Sequence, residues 1–579
     1  MVLHARDLGH HLLLCPAGSE PRPRCDYNDG HRRHSRNRTK PHVCRLARGE
    51  KHVINLKARE TKTLVAVHGW AGAVLGLLLY VVIVTGMAAV FSNEIKAWSG
   101  GLLGISDPLN QPLGAVLARL EAQTPEEFRD DLGLRATPAG NVHAFFHADE
   151  TVNGVRRERG VLYEIGPNES VISRQEGLGN ELAANDPHAA LGRFYVDLHV
   201  RLHVPNPWGL ILTGILGLAM LVAAVSGILM HRHLFRDIFL MRGRDRLVGL
   251  RDLHSVAGTW TLPHAFVLAF TGAYLSFAIA VALPMLAKIA FKGDVREMVT
   301  TLNGLNNVDA RPAAIADIDR ILSDARQRAG APLMSAGWEN RGRADSRITV
   351  FPAPRSGDLT AMRLIYNGST GQLIRERPII GLKPSWGASL LGLIGPVHFG
   401  NFAGWWSRSV WFALGAASAY VAWSGLNLWV RRRSNQRGWR GLGRATAWVG
   451  GGLPFAMTVA AAAYFASLPS LATVFWTPAA FLIAAALALI PAIVMRSVER
   501  VPPLLFGATG ILMVVIPVLR TAVGGPDWNA ALAAGQSAIP VMDGLVVLGG
   551  LVCVVSAGLS LRRREQTTFG AGAVMQSAE

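Results

Sequence analysis

Seven stretches of this chain run for 18 to 51 residues without one Asp, Glu, Lys or Arg. They are Leu64–Asn93, Pro205–Met230, Val256–Ala287, Val410–Val430, Ala445–Met495, Val501–Leu519 and Gly544–Leu561. About 20 apolar residues of helix cross a bilayer, and a helix satisfies its own backbone groups there. The 51-residue run is too long for one crossing and divides at the turn signal Ser467-Leu-Pro-Ser470. The expectation is a membrane all-α helical bundle of about eight transmembrane helices. The mean hydropathy of +0.26 agrees with it.

The net charge of +18 does not point to nucleic acid, because the cations gather in alternate loops. Six Arg fall in His231–Leu253 and six in Arg431–Ala445; Arg496, Arg500 and Arg562-Arg-Arg564 mark the next two basic loops. The loop Thr521–Pro540 has no Lys or Arg. Basic loops stay cytoplasmic. This puts both termini inside and the segments 93–204 and 288–400 outside, in a bacterial inner membrane. Residues 1–60 lack an apolar period and read as a disordered basic tail. They show no secretory pattern; a later start, at the codon of Val43 or Val53, is an alternative. Cys15, Cys25 and Cys44 of this tail lack zinc spacing and read as free thiols.

The chain also says one thing twice. His68-Gly-Trp-Ala-Gly72 opens the first apolar run and His254-Ser-Val-Ala-Gly258 the third, and Thr85-Gly86 and Thr271-Gly272 follow them at one and the same distance. His199 and His398 precede the second and fourth runs. Ser226-Gly227 and Ser424-Gly425 follow these two at distances that agree to within one position. The two halves have one orientation, so an axis along the membrane normal should relate them. Equivalent residues near that axis face each other, which pairs His68 with His254 on the inner side. His199 stands as far before the inner end Met230 as His398 stands before Val430, again to within one position. If helical throughout, both lie about 45 Å up, at the outer interface. Pro205 and the Gly-rich 395–404 are candidate breaks.

Each outer segment reads as helix then strands. Pro112–Ala122 and Ala314–Ala329 carry one apolar face. Val142–His147, Val161–Ile165, Ser170–Arg174, Arg347–Phe351, Met362–Tyr366 and Gln372–Ile374 read as strands.

These small α+β modules between membrane helices resemble PepSY modules, with Tyr366-Asn-Gly-Ser-Thr-Gly-Gln-Leu373 similar to the PepSY strand–turn–strand. Leu64–Gly86, Asp197-Leu-His199, Asp252-Leu-His254 and Val397-His-Phe-Gly400 to Arg431-Arg-Arg433 resemble the PepSY-associated transmembrane-helix family. That family includes iron-regulated inner-membrane proteins and ferric-siderophore reductases. The likeness covers about 64–433. The expected order is membrane helices at 64–92, 205–230, 256–287 and 405–430, PepSY-like periplasmic modules at 93–204 and 288–400, a four-helix extension at 445–561 and a tail at 562–579.

Two imidazoles facing across a bundle are what a six-coordinate haem iron needs. The resemblance also implies haem. The expected cofactor is haem b, two per chain, with axial ligands His68 with His254 and His199 with His398. Gly residues beside His68 and His254 would let a macrocycle approach the backbone. Propionates would want Arg251 inside and Arg193, Arg201 or Arg408 outside. His203, one turn from His199, could replace it. His264, about 15 Å deeper than His254, could ligate a mid-membrane haem, serve a quinol, or be a core histidine. His231 and His233, in an Arg-rich loop, read as solvated. His143, His147 and His188 read as surface residues, and Trp98, Trp208, Trp405 and Trp406 as interfacial anchors. The apolar runs lack the charges that ion-driven transporters carry, and no Gly-rich nucleotide loop stands in a strand–helix context.

The expected function is outward electron transfer. The donor is quinol or a cytoplasmic reductase, and by resemblance the acceptor is a ferric siderophore or other ferric chelate, which would make the chain an oxidoreductase. Two alternatives stand beside it: a non-enzymatic PepSY scaffold binding a periplasmic partner, and a siderophore or haem transporter.

Overall fold

The computed structural model describes residues 57–576 apart from 101–102, 153–154, 231–238, 240–245, 304–307, 356–357, 380 and 382. The tail up to residue 56, with its three cysteines, and His231 and His233 lie outside the described residues.

Four long helices make the first bundle: α1 (Ala58–Ala89), then, with the shorter helices of the outer region numbered between them, α5 (Trp208–Met230), α6 (Arg246–Phe277) and α9 (Gly404–Arg431). A π turn and a short helix continue α6 to Ala290. α1 packs on α5 and α9, and α6 packs on the same two, so α1 and α6 face each other across one diagonal. The other diagonal joins α5 and α9. Each of these two is preceded by a separate short helix: α4 (Ala190–Arg201) before α5, and α8 (Trp386–Phe399) before α9. Leu202 and His203, both left-handed, end α4, and Gly400 at φ 66° ends α8. His199 and His398 therefore do not stand on one unbroken helix, and the expected height above the inner ends is withdrawn.

Four further helices follow: α10 (Arg437–Ser467), α11 (Thr473–Val494), α12 (Val501–Ala522) and α13 (Ala538–Gln576). The break at Ser467–Ser470 is a 3₁₀ turn, where a turn is expected. Among the described residues seven helices are long and apolar enough to cross a membrane. The eighth, α9, has the length at 28 residues but falls short in apolarity; its Ser407, Gly415, Ser418 and Ser424 are turned into the bundle. Small residues let the C-terminal helices touch backbone to backbone. A Cβ on Gly510 of α12 would stand 2.4 Å from Gly550 O of α13.

The outer segments do not form two separate modules. They form one eight-stranded antiparallel sheet, in the order β4-β3-β2-β1-β5-β6-β7-β8. β1 is Asp131–Ala136, β2 Val142–Val152, β3 Val155–Ile165 and β4 Val171–Leu178. β5 is Leu333–Glu339, β6 Arg347–Pro352, β7 Met362–Asn367 and β8 Leu373–Pro378. β1 and β5 join the halves, with Gly133 opposite Gly337. These are the two strands absent from the sequence reading, because a glycine inside a strand reads as a breaker. One face of the sheet holds the core: Leu132, Val142, Phe146, Tyr163, Ile348, Val350 and Tyr366 pack under α3 (Gly114–Gln123) and α7 (Ile318–Ala329). α7 starts one turn later than expected, because Asp317 caps it by accepting from the N–H of Asp319 and Arg320. One sheet built from both segments requires both to lie at the same end of the bundle.

The C-terminal helices brace the first half. Tyr80 of α1 donates to Gly450 O at 2.8 Å, and Tyr195 of α4 to Met457 O at 2.7 Å. Arg520 and Asp543 lie one residue outside the charge-free runs yet inside α12 and α13, fully buried. Arg520 holds both carboxylate oxygens, at 3.2 and 2.8 Å, and gives a further bond to Pro526 O. Trp528 and Trp98 donate their indole N–H to the same carboxylate, at 2.8 and 2.7 Å. Trp98, on α2 (Ser92–Ser99), is thus not an interfacial anchor but a buried tie between α2 and the C-terminal helices.

Breaking a buried, fully bonded ion pair from one side leaves the other charge stranded. Asp543→Ala should therefore lower the unfolding free energy by about 3–5 kcal/mol, and Trp528→Phe by about 1 kcal/mol. Thermal melts of the detergent-purified protein check the order and the sizes.

Candidate cofactor site

In this bundle a polar imidazole needs a partner. Each of the four histidines finds one on the neighbouring helix of its own half. His68 of α1 sets Nδ1 at 3.0 Å from Ala223 O and 3.1 Å from Ser226 Oγ of α5. His199 of α4 sets Nδ1 at 2.9 Å from Val82 O of α1. His254 of α6 meets Ser424 Oγ of α9 at 3.0 Å, and His398 of α8 meets Thr271 Oγ1 of α6 at 2.9 Å. Ser424 donates its own proton to Val421 O and Thr271 donates to Val267 O. Their oxygens are then acceptors, and Nδ1–H of the histidine is the donor. The carbonyl partners of His68 and His199 impose the same tautomer. In the neutral ring this tautomer leaves the lone pair on Nε2, the form in which a histidine binds a metal.

The second residue of each Ser/Thr-Gly pair is where the ring lies. A Cβ would stand 2.9 Å from the His199 ring at Gly86, 3.1 Å from His398 at Gly272, 3.1 Å from His254 at Gly425 and 3.6 Å from His68 at Gly227. The pairs are therefore seats, and each serves the histidine of the adjacent helix. Of the glycines beside His68, Gly69 is filled by the Trp429 ring, 2.1 Å from its would-be Cβ, while Gly72 has nothing within 4 Å.

The halves then meet. His68 and His254 have ring centres 6.4 Å apart with planes at 80°; His199 and His398 have the same 6.4 Å spacing with planes at 28°. A nitrogen ligand sits about 2 Å from its metal and roughly 1.1 Å from its ring centre, so two rings flanking one metal have centres about 6.3 Å apart. The levels are set along α1 by His68 and Gly86, and along α6 by His254 and Gly272, at equal intervals. That separates the pairs by about 27 Å, close to the thickness of the hydrocarbon. Among the described residues no group of three or more His, Cys, Asp or Glu converges on a metal position. A pair alone suits a metal whose other ligands come from a macrocycle. Burial, first, and then the charges of His199 and His264 push the His398 pKa down to about 3. Burial also lowers that of His199, against its Val82 bond. Burial thus favours the neutral form in both outer rings, the form that ligation requires.

The remaining expected residues stand elsewhere. His203 turns back onto α4, with Nε2 3.1 Å from Phe194 O and its ring stacked on Phe194. Arg201 pairs with Asp197 at 2.8 Å, and Arg408 with Glu94, so both outer cations already have carboxylates. Arg251 is exposed. His264 is 6% exposed and edge-on to Trp411 at 5.3 Å, and among the described residues neither of its ring nitrogens has a hydrogen-bond partner. His143, His147 and His188 are half-buried rather than on the surface; His188 bonds Gly100 O. Sequence reasoning missed Lys96, which has no counterpart in the second half to advertise it.

The model of the family described as PepSY-associated TM region matches residues 65–432, well over half of the chain. An uncharacterized protein of Pseudomonas aeruginosa is 30% identical over 256 residues, 42% of this chain and 63% of that relative. The chain thus spans less than two thirds of the relative's length.

Gly86→Val forces a branched side chain into the His199 ring and should cost about 1–3 kcal/mol. Gly72→Ala adds a methyl to open space in a helix and should be neutral or stabilise by up to about 1 kcal/mol. Paired thermal melts of the two variants test the contrast.

Proposed function

The chain belongs to the PepSY-associated transmembrane family, and from its histidine geometry we propose that it is a membrane electron carrier holding two b-type haems. His68 and His254 would hold the inner one, His199 and His398 the outer one. The observation that carries this is the repeated 6.4 Å spacing of rings whose Nδ1–H is already engaged. Haem so held supplies a one-electron carrier at each membrane face, tuned by the imidazoles and by burial. The chain's own part is to fix tautomer and ring plane and to keep water from the metal. The basic loops at the ends of α9 and α11 favour a cytoplasmic position for that side. The sheet would then be periplasmic, in an inner membrane. Electrons would come from quinol or a cytoplasmic reductase, and the acceptor would be a ferric siderophore or a similar ferric chelate on the sheet side, making the chain an oxidoreductase.

Protein expressed with ample haem should carry two haems per chain and a Soret band. His68→Ala or His254→Ala should remove one, and His199→Ala or His398→Ala the other. A folded preparation without a Soret band would return the chain to a scaffold, and loss of neither haem would break the pairing.

A further inference from the structure

Among the described residues, two cations near the outer histidine pair have no carboxylate of their own. Lys96 lies on α2 and Arg193 on α4, two turns before His199. The Lys96 stem crosses Gly192, where an added Cβ would stand 2.5 Å from its Cγ. Arg193 gives Nη2 to Asp186 O at 2.8 Å, while its Nη1 is buried and finds no hydrogen-bond partner among the described residues. The carboxylates nearby are engaged elsewhere. Asp186 accepts from the backbone N–H of His188 at 2.9 Å and Ala189 at 3.3 Å. Asp197 takes both prongs of Arg201, at 3.2 and 2.8 Å.

Burial, then the guanidiniums of Arg193 and Arg135, lower the Lys96 pKa against the pull of Asp186 and Asp197. Burial likewise lowers that of Arg193. Arg135 reaches this group from β1 and is exposed, so the gathering of charge lies where the sheet meets the end of the bundle. Both Lys96 and Arg193 are half-buried, so water still reaches part of each side chain. Here cations outnumber carboxylates, Lys96, Arg135, Arg193 and Arg201 against Asp186 and Asp197, and a buried donor left without an acceptor is unfavourable until an anion completes it.

We infer that Lys96 and Arg193 form a seat for a carboxylate, about 9 Å along α4 from His199. The seat belongs to one half only. The interval that carries His68 onto His254 carries Lys96 onto Ala282, and the interval that carries His199 onto His398 carries Arg193 onto Gly392. The carboxylate has two possible sources: the propionate of a haem on the outer pair, which rests on the reading above, or an acid group of an incoming ferric chelate. Both present an anionic oxygen pair that an ammonium and a guanidinium can share.

The test uses the full chain as wild type, Lys96→Gln, Lys96→Arg and the double variant Lys96→Gln/Arg193→Gln. In one arm the haem-free protein is titrated with haemin and with haemin dimethyl ester, read at the Soret band. In the other, ferric citrate without reductant is bound to the loaded protein by equilibrium dialysis. The double variant should lose about tenfold or more in affinity in one arm, with Lys96→Gln intermediate and Lys96→Arg near wild type. Loss for haemin but not for its ester assigns the seat to a propionate; loss for citrate assigns it to the chelate. Lys96→Gln leaves the Arg193–Asp186 bond in place and so tests charge without disturbing that packing. Unchanged affinity in both arms overturns the inference. If wild type takes up no haemin, the haem reading fails, and the citrate arm on unloaded protein still decides the seat.

Discussion

The bond from each histidine Nδ1–H to the next helix is the contact on which the rest depends. It does three things at once. It satisfies a polar group that would otherwise cost about 1–3 kcal/mol in an apolar bundle. It selects the tautomer with its lone pair on Nε2. It also locks two helices of one half at fixed height, because the seat accepts one ring only where a glycine leaves room for it. α1 gives a histidine to α5 and its Thr85-Gly86 seat takes one from α4; α6 and α9 repeat the exchange. Each half is closed by two such bonds before the halves meet.

Duplication then accounts for what the halves share, and departures from it show what they do not. The seats, the outer helix and the four strands occur twice. The C-terminal helices attach to the first half through Tyr80, Tyr195 and the Asp543 carboxylate with its three donors, and to the second through the packing of α10 on α9 and the Arg431–Glu499 ion pair. Lys96 and Arg193 also belong to the first half. The second half alone has His264, whose equivalent in the first half is Leu78, by the interval from His68 to His254. The bundle is symmetric where a metal would sit and asymmetric around it, so the two outer approaches to the His199–His398 pair differ in charge.

Much of this was legible in the sequence. Charge-free runs marked the helices because a helix satisfies its own backbone groups in lipid. The repeat spacing paired the histidines whose rings lie 6.4 Å apart. What failed did so for identifiable reasons. β1 and β5 contain Gly133 and Gly337, and local propensity counts against a strand that pairing across the repeat stabilises. The height estimated for a continuous helix through His199 and His398 failed because the chain does break near both candidate positions, at Leu202 and His203 just before Pro205 and at Gly400. The Ser/Thr-Gly pairs were visible as a spacing, but spacing along one chain cannot tell which neighbour a seat serves. Arg201 and Arg408 looked like free cations because their partners, Asp197 and Glu94, become partners only once α4 and α2 are folded.

The β1–β5 joint has a mechanical consequence for the site. Gly133 faces Gly337 in the middle of an antiparallel pair, as expected where a repeat meets itself about a two-fold axis. The outer histidines lie on short helices, each linked by the chain to its own half of the sheet. Without the joint, each half would end in an unpaired strand edge, free to shift with its own short helix. With it, both short helices hang from one sheet, and their separation is set by backbone hydrogen bonds as well as by the helices beneath. The outer pair is held from two sides in this way. The inner pair sits directly on α1 and α6 and needs no such roof.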